Sequence, residues 1–194
     1  DVSPIRLAIH LGVALIILAL ALWVALGAFA WPRATGRLGL PRWTPFALMA
    51  LVFAQVMLGA LLAGSRGGAA YADWPWIGGE WIPPPAFGLE PFWANFTEDH
   101  ATQHLLHRTV GYVTALAAVG MALVALARGR GEARWTAAVV GELALARAGL
   151  GVLPVISASP LSLSLAHEAG AVALWMAALA AARAAWRESG GGMK

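Results

Sequence analysis

The sequence predicts an all-α fold, a polytopic transmembrane helix bundle of five spans with its N-terminus outside and its C-terminus cytoplasmic. Three observations predict it. Of the 194 residues, 60% are hydrophobic and only 12% charged, where a soluble domain carries about 25% charged residues; mean hydropathy is +0.70. The apolar residues gather into five runs, each near the roughly 20 residues that a membrane helix needs. The basic residues gather in alternate loops. A soluble fold of this size could not hide so much apolar surface, and the same composition excludes disorder. No cysteine is present, which removes disulfides, thiolate metal sites, cysteine nucleophiles and covalent c-type heme attachment.

The first span is expected from about Pro4 to Trp31, with no charge after Arg6. Ala28-Phe29-Ala30 resembles a signal cleavage site, but the apolar run is too long for a signal peptide and Arg33 and Arg37 follow it on the wrong flank. The chain enters this helix almost at once, as a piece of a longer protein would. The second span lies between Arg42 and Arg66, an interval without charge. The third runs from near Phe96 to Ala127. The fourth runs from Trp135 to about Ile156 and contains Glu142 and Arg147. The fifth runs from Leu161 to about Ala185. Arg33, Arg37 and Arg42 lie between spans one and two. Arg128, Arg130 and Arg134 lie between three and four, and Arg183, Arg187 and Lys194 close the chain. The long loop from Gly67 to Asn95 has no Lys or Arg and carries Asp73, Glu80 and Glu90. Positive charge in short loops marks the cytoplasmic side, so every basic loop falls on one side. The pI near 10.2 would suit a nucleic-acid binder, but these arginines are topology signals, and no nucleic-acid partner is expected.

All five histidines, His10, His100, His104, His107 and His167, fall toward the outer side. At a rise of about 1.5 Å per residue, His10 and His167 lie roughly 9 Å into their spans and His107 roughly 14 Å. Ionisable groups in spans are rare and usually face a bundle interior or a functional site. One such histidine could be an ordinary interhelical hydrogen bond; three at similar depth point to a metal or cofactor. Imidazole suits zinc, copper and iron. Bis-histidine heme needs two imidazoles on facing helices, an apolar slot and cations for the propionates. Gly111, Ala166, Ala169 and Gly170 flank the histidines and would let a flat macrocycle approach, or would serve close helix packing. Arg108 and Arg66 are the candidate cations, Arg fitting carboxylates through its planar fork, although Arg66 could equally reach lipid headgroups. His100, His104 and His107 form one helical stripe. Its two upper members, beside Glu98 and Asp99, are expected at the watery interface.

The outer loop concentrates Trp74, Trp76, Trp81 and Trp93 with five prolines. Interfacial aromatics are common, yet a loop this long is usually functional, and a lid over an outward-facing cofactor is expected. Spans two and four carry related motifs, Gln55-Val-Met-Leu-Gly59 and Arg147-Ala-Gly-Leu-Gly151, which hint at a helix-pair repeat. Arg147 is costly in a span without a partner, and Glu142 points to a different side of the helix.

Gln55-Val-Met-Leu-Gly-Ala-Leu-Leu-Ala-Gly-Ser-Arg66-Gly, then Ala-Tyr-Ala-Asp-Trp74-Pro and Gly-Glu-Trp81-Ile-Pro, resemble the heme A synthase family. So do His107-Arg108, Leu150-Gly151 and Pro160-Leu-Ser-Leu-Ser-Leu-Ala-His167. Val2-Ser-Pro-Ile-Arg-Leu-Ala-Ile-His10-Leu is similar to the start of that family's fourth span. The resemblance covers nearly the whole chain. It implies an oxidoreductase that converts the methyl group of heme O to the formyl group of heme A for cytochrome oxidase, in eight spans built as two four-helix halves. It implies that His107 and His167 are the axial iron ligands of a heme b in the C-terminal half, with Arg108 and Arg66 toward the cofactor. His10 then belongs to the catalytic, substrate-heme half, whose remainder lies outside this chain. Residues 1–43 would be the fourth-span-like helix and its cytoplasmic loop. Residues 44–190 would be the heme b half, with the outer loop at 67–97. Heme O, the missing N-terminal half, heme O synthase, cytochrome oxidase assembly factors and the lipid bilayer are the implied partners, and the bacterial inner membrane is the implied location. The alternative is a b-type membrane cytochrome subunit that transfers electrons without modifying heme. The chain departs from the family pattern at Leu106, Arg147 and Glu168, where Asn, Gln and Gln are usual, and lacks the outer-loop cysteines of some members.

Overall fold

The computed structural model describes residues 3–28 and 36–190, without the side chains of residue 132 and residues 187–190. The topology charges Arg33 and Lys194 lie outside the described residues, as does the side chain of Arg187.

Among the described residues there are five α-helices: α1 (Pro4–Ala28), α2 (Thr44–Gly64), α3 (His100–Arg128), α4 (Glu132–Ile156) and α5 (Leu161–Gly190). Each contains a segment long and apolar enough to cross a membrane, so this is a multi-pass membrane protein. Proline begins two of them. Pro4 opens α1 and Pro45 sits in the first turn of α2, where a missing N–H costs nothing. Asp99 caps α3 by accepting from the backbone N–H groups of Ala101 (2.9 Å) and Thr102 (3.2 Å). Pro154 lies inside α4, in its last turn, and its carbonyl accepts from Ser159 N–H at 2.7 Å. Ala158 and Ser159 then adopt positive φ and turn the chain into α5.

Helices α2 to α5 form a ring. α3 packs on α4, α4 on α5, and α2 closes against both α3 and α5; α1 lies outside, chiefly against α2. The core is rich in alanine: Ala118, Ala125, Ala137, Ala144, Ala171 and Ala181 pack with Val52, Val140 and Leu174. Small residues let backbones approach where lipid offers no hydrophobic drive. The buried Trp175 indole donates to the Leu15 carbonyl at 3.1 Å, which ties α1 to α5. The remaining face of α1 leaves Ile9, Ile17, Leu20 and Val24 exposed.

The described boundaries follow the sequence expectation to within a few residues, while Trp31, the expected end of the first span, lies outside the described residues. One element was not expected. Gly36–Arg37 (β1) pairs antiparallel with Arg130–Gly131 (β2), a two-residue ladder joining the two basic loops. The outer loop also carries short 3₁₀ turns at Gly67–Ala69 and Phe92–Phe96.

Candidate functional site

A cavity of about 430 Å³ lies within the ring, lined by residues of all four helices and by Trp74 from the outer loop. His107 of α3 and His167 of α5 meet there, with ring centroids 6.3 Å apart and planes at 78°. A metal–imidazole bond is about 2.0 Å long, so two rings sharing one ion have centroids on the order of 6 Å apart.

The same device holds each ring. A Cβ on Gly59 would come within 3.0 Å of His107 Cε1, and a Cβ on Gly151 within 2.8 Å of His167 Cε1. One turn earlier on each helix stands the hydrogen-bond partner. The side-chain nitrogen of Gln55 lies 3.2 Å from His107 Nδ1 and 3.3 Å from Nε2. The Arg147 carbonyl accepts from His167 Nδ1 at 3.2 Å. The two related motifs of spans two and four are therefore a ring partner and a ring seat, repeated on α2–α3 and α4–α5. With its proton on Nδ1, His167 presents the Nε2 lone pair, the usual state of a metal-bound histidine that donates its other nitrogen to a carbonyl. Gln55 Oε1 is buried without a partner. A half-turn of that amide would let His107 Nδ1 donate to it and give both rings the same state, the O and N of an amide being set by their network.

Three more buried polar atoms of cavity-lining residues are without hydrogen-bond partners among the described residues, Arg108 Nε, Arg147 Nε and Glu168 Oε1. Arg147 is buried, and its charge partner is Glu168 on α5; Glu142 is exposed. Two seated imidazoles, apolar walls and unfilled polar groups fit a heme.

Other expected residues are placed differently. His10 is exposed on α1 and outside the cavity lining; α1 packs outside the ring. His104, expected at the watery interface, is buried. Its Nε2 donates to the Gly67 carbonyl at 2.9 Å, and its Nδ1 accepts from Arg108 at 3.2 Å. His100 donates from Nε2 to the Ser65 carbonyl at 3.2 Å. The upper histidines thus clamp the end of α2 onto α3, and Gly67 fits because a Cβ there would sit 2.8 Å from the His100 ring. Arg108 lines the cavity and donates to the carbonyls of Asp73 (2.9 Å), Trp76 (2.6 Å) and Tyr71 (3.3 Å). Arg66 lines the cavity at the end of α2, at φ 59°. Gly111 admits the Gln55 amide, 3.0 Å from where its Cβ would be. Ala169 is exposed. The Gly59 and Gly151 seats were not foreseen, although the motif spacing was the available signal.

The outer loop is held by few polar groups. Asp73 accepts from the N–H groups of Gly79 (2.7 Å) and Gly78 (2.9 Å), and these bonds hold its carboxyl below the usual carboxylate range. Buried Asn95 accepts from Leu89 N–H and donates to the carbonyls of Leu89 and Phe92, each at 2.9 Å.

Residues 1–179 match the COX15-CtaA family, cytochrome oxidase assembly protein. The chain belongs to this family. Among similar proteins is the heme A synthase of Maricaulis maris, 38% identical over 187 residues, which cover 96% of this chain and 54% of the relative. The heme A synthase of Paracoccus denitrificans is 39% identical over 180 residues, covering 90% and 47%. That of Caulobacter sp. strain K31 is 38% identical over 178 residues, covering 90% and 51%. The chain spans about half the length of these curated relatives. No solved structure matches. The resemblance read from the motifs is thereby borne out, and the alternative of a b-type membrane cytochrome subunit that transfers electrons without modifying heme is not favoured.

Proposed function

We propose that this chain is the heme b-holding half of a heme A synthase, an oxidoreductase of the bacterial inner membrane that converts the methyl group of heme O to the formyl group of heme A. His107 and His167 would hold the iron of the heme b. The observation that carries this reading is the pair of imidazoles 6.3 Å apart, each backed by a glycine seat and a hydrogen-bond partner. Held there by both imidazoles, heme b would supply one-electron redox chemistry and serve as an electron relay.

The residues of the chain supply position and electrostatics. The Arg147 carbonyl fixes the His167 proton on Nδ1, and Gln55 orients His107. Arg147 and Glu168 set the local charge. The Arg108 guanidinium holds the outer loop over the cavity by donating to the carbonyls of Asp73, Trp76 and Tyr71, and Arg108 and Arg66 are the cations that would serve the propionates. Trp74 excludes water from the outer side. His10 serves the substrate-heme side, together with the part of the relatives' length that this chain does not span. We assign residues 1–43 to that side and 44–190 to the heme b module. Heme O is the substrate, and heme O synthase and cytochrome oxidase assembly factors are the expected partners.

The purified protein should show reduced-minus-oxidised heme bands, and His167→Ala and His107→Ala should each abolish or shift them. An unchanged spectrum in either variant removes that residue as a ligand. In the full-length enzyme, incubation with heme O should yield heme A by pigment analysis; heme b bands without that conversion would leave an electron-transfer cytochrome.

A further inference from the structure

At the end of the bundle away from the histidines, a second cavity of about 770 Å³ is lined by Arg37, Arg42, Arg128 and Arg130, with Leu40, Pro41 and Ala185 among its walls. Four arginines, Arg37 and Arg42 after α1 and Arg128 and Arg130 at and beyond the end of α3, meet at one concavity beside the β1–β2 ladder, which sets Arg37 directly opposite Arg130. Like charges in that register repel. No carboxylate lines the cavity among the described residues.

The approach of the loops is built in. Gly36, at φ +146°, would place a Cβ 1.9 Å from the Arg130 carbonyl oxygen, and Gly39, at φ +71°, would place one 2.8 Å from Arg128 Cβ. Neither position admits a side chain, so the fold gives up two side chains to bring like charges together. An anion would relieve that repulsion.

The cavity also has a depth. Trp43, Trp135 and Trp186 are exposed by 64%, 55% and 57%, and Trp43 follows Arg42 while Trp186 follows Ala185. Arg134 covers the Trp135 ring at 4.5 Å. Exposed tryptophans at helix ends sit at the headgroup level of a bilayer, and Arg forks match phosphate oxygens in pairs. Basic pockets between membrane helices are suited to anionic headgroups. We propose that this cavity binds the phosphate of an anionic phospholipid headgroup through Arg37, Arg42, Arg128 and Arg130.

The test is lipid titration of the delipidated protein in neutral detergent, read by native mass spectrometry. Phosphatidylglycerol should bind about tenfold more tightly than phosphatidylcholine of the same chains, and less tightly as salt rises. The double variant Arg37→Gln/Arg130→Gln should lose about tenfold. Arg42→Gln/Arg128→Gln, which leaves the ladder intact, should lose a similar factor and serves if the first variant does not fold. Arg134→Gln, outside the cavity, should bind as the parent does. Equal binding of the two lipids, or undiminished phosphatidylglycerol binding in the Arg42→Gln/Arg128→Gln protein, overturns the proposal. Displacement of phosphatidylglycerol by equimolar inorganic phosphate also overturns the lipid assignment and makes the cavity a site for a soluble phosphate.

Discussion

Gly59, Gly149 and Gly151 have the same chemistry and different surroundings. Replacing a helical glycine by alanine ordinarily stabilises by about 0.5–1 kcal/mol, because the unfolded chain has less freedom to lose. Gly149 meets nothing within 4 Å of a built Cβ, so Gly149→Ala should raise the unfolding midpoint and leave heme content unchanged. Two residues on, Gly151→Ala puts a methyl 2.8 Å from His167 Cε1. The ring must swing away, and the heme-to-protein ratio after purification should fall about tenfold. Gly59→Ala, at 3.0 Å from His107 Cε1, should behave alike and less severely. Equal heme retention in Gly149→Ala and Gly151→Ala would remove the seat from the account. The histidines could be read from the sequence because an imidazole in a span is conspicuous. The glycines could not, because a helical glycine looks the same whether it faces a ring or lipid. The burial of His104 was hidden for a related reason: it is covered by Gly67, whose carbonyl it bonds, and Gly67 comes from a loop whose path no periodicity encodes.

The five helices were readable because each is a long apolar run, and length alone separates a span from any other element. The β1–β2 ladder was not, since two residues on each side carry no alternation to detect. Helix α3 shows what local chemistry adds. Asp99 satisfies two otherwise orphaned N–H groups, and a lost N-cap of this kind costs about 1 kcal/mol; Asp99→Ala should lower the thermal midpoint accordingly. In the outer loop, Asp73 is the group whose charge matters. Its carboxyl is held below the ordinary value of 3.8 by the Gly79 and Gly78 N–H groups. A depressed folded value means that the loop's contribution is complete above that ordinary value and is lost as pH falls through the lower, folded one. Tryptophan fluorescence should stay constant from neutral pH down to about 4 and change below it. In Asp73→Asn the acid step should shrink. An unaltered acid step would assign it to other carboxyls.

The ring of α2 to α5 is two helix pairs, and each contributes one imidazole, one seat and one partner. A heme between them would join α2–α3 to α4–α5 across the cavity, where the described contacts include no hydrogen bond from one imidazole to the other. A ligand held only by the folded state adds RT ln(1 + [L]/Kd), about 2.7 kcal/mol at a hundredfold excess over Kd. For a chain of this size that is a rise of roughly 5–10 °C in the unfolding midpoint. The arrangement also fixes how the losses combine. If the joint requires both rings, cutting either one forfeits nearly all of it, and the second cut removes little more. His107→Ala, His167→Ala and the double variant should therefore share nearly one midpoint, well below the heme-loaded parent, with a coupling energy close to the single losses. Rings that acted only as independent helix-packing groups would give losses that add. A thermal melt of the four proteins, followed by far-ultraviolet circular dichroism in one detergent, separates a cross-link from two unrelated contacts.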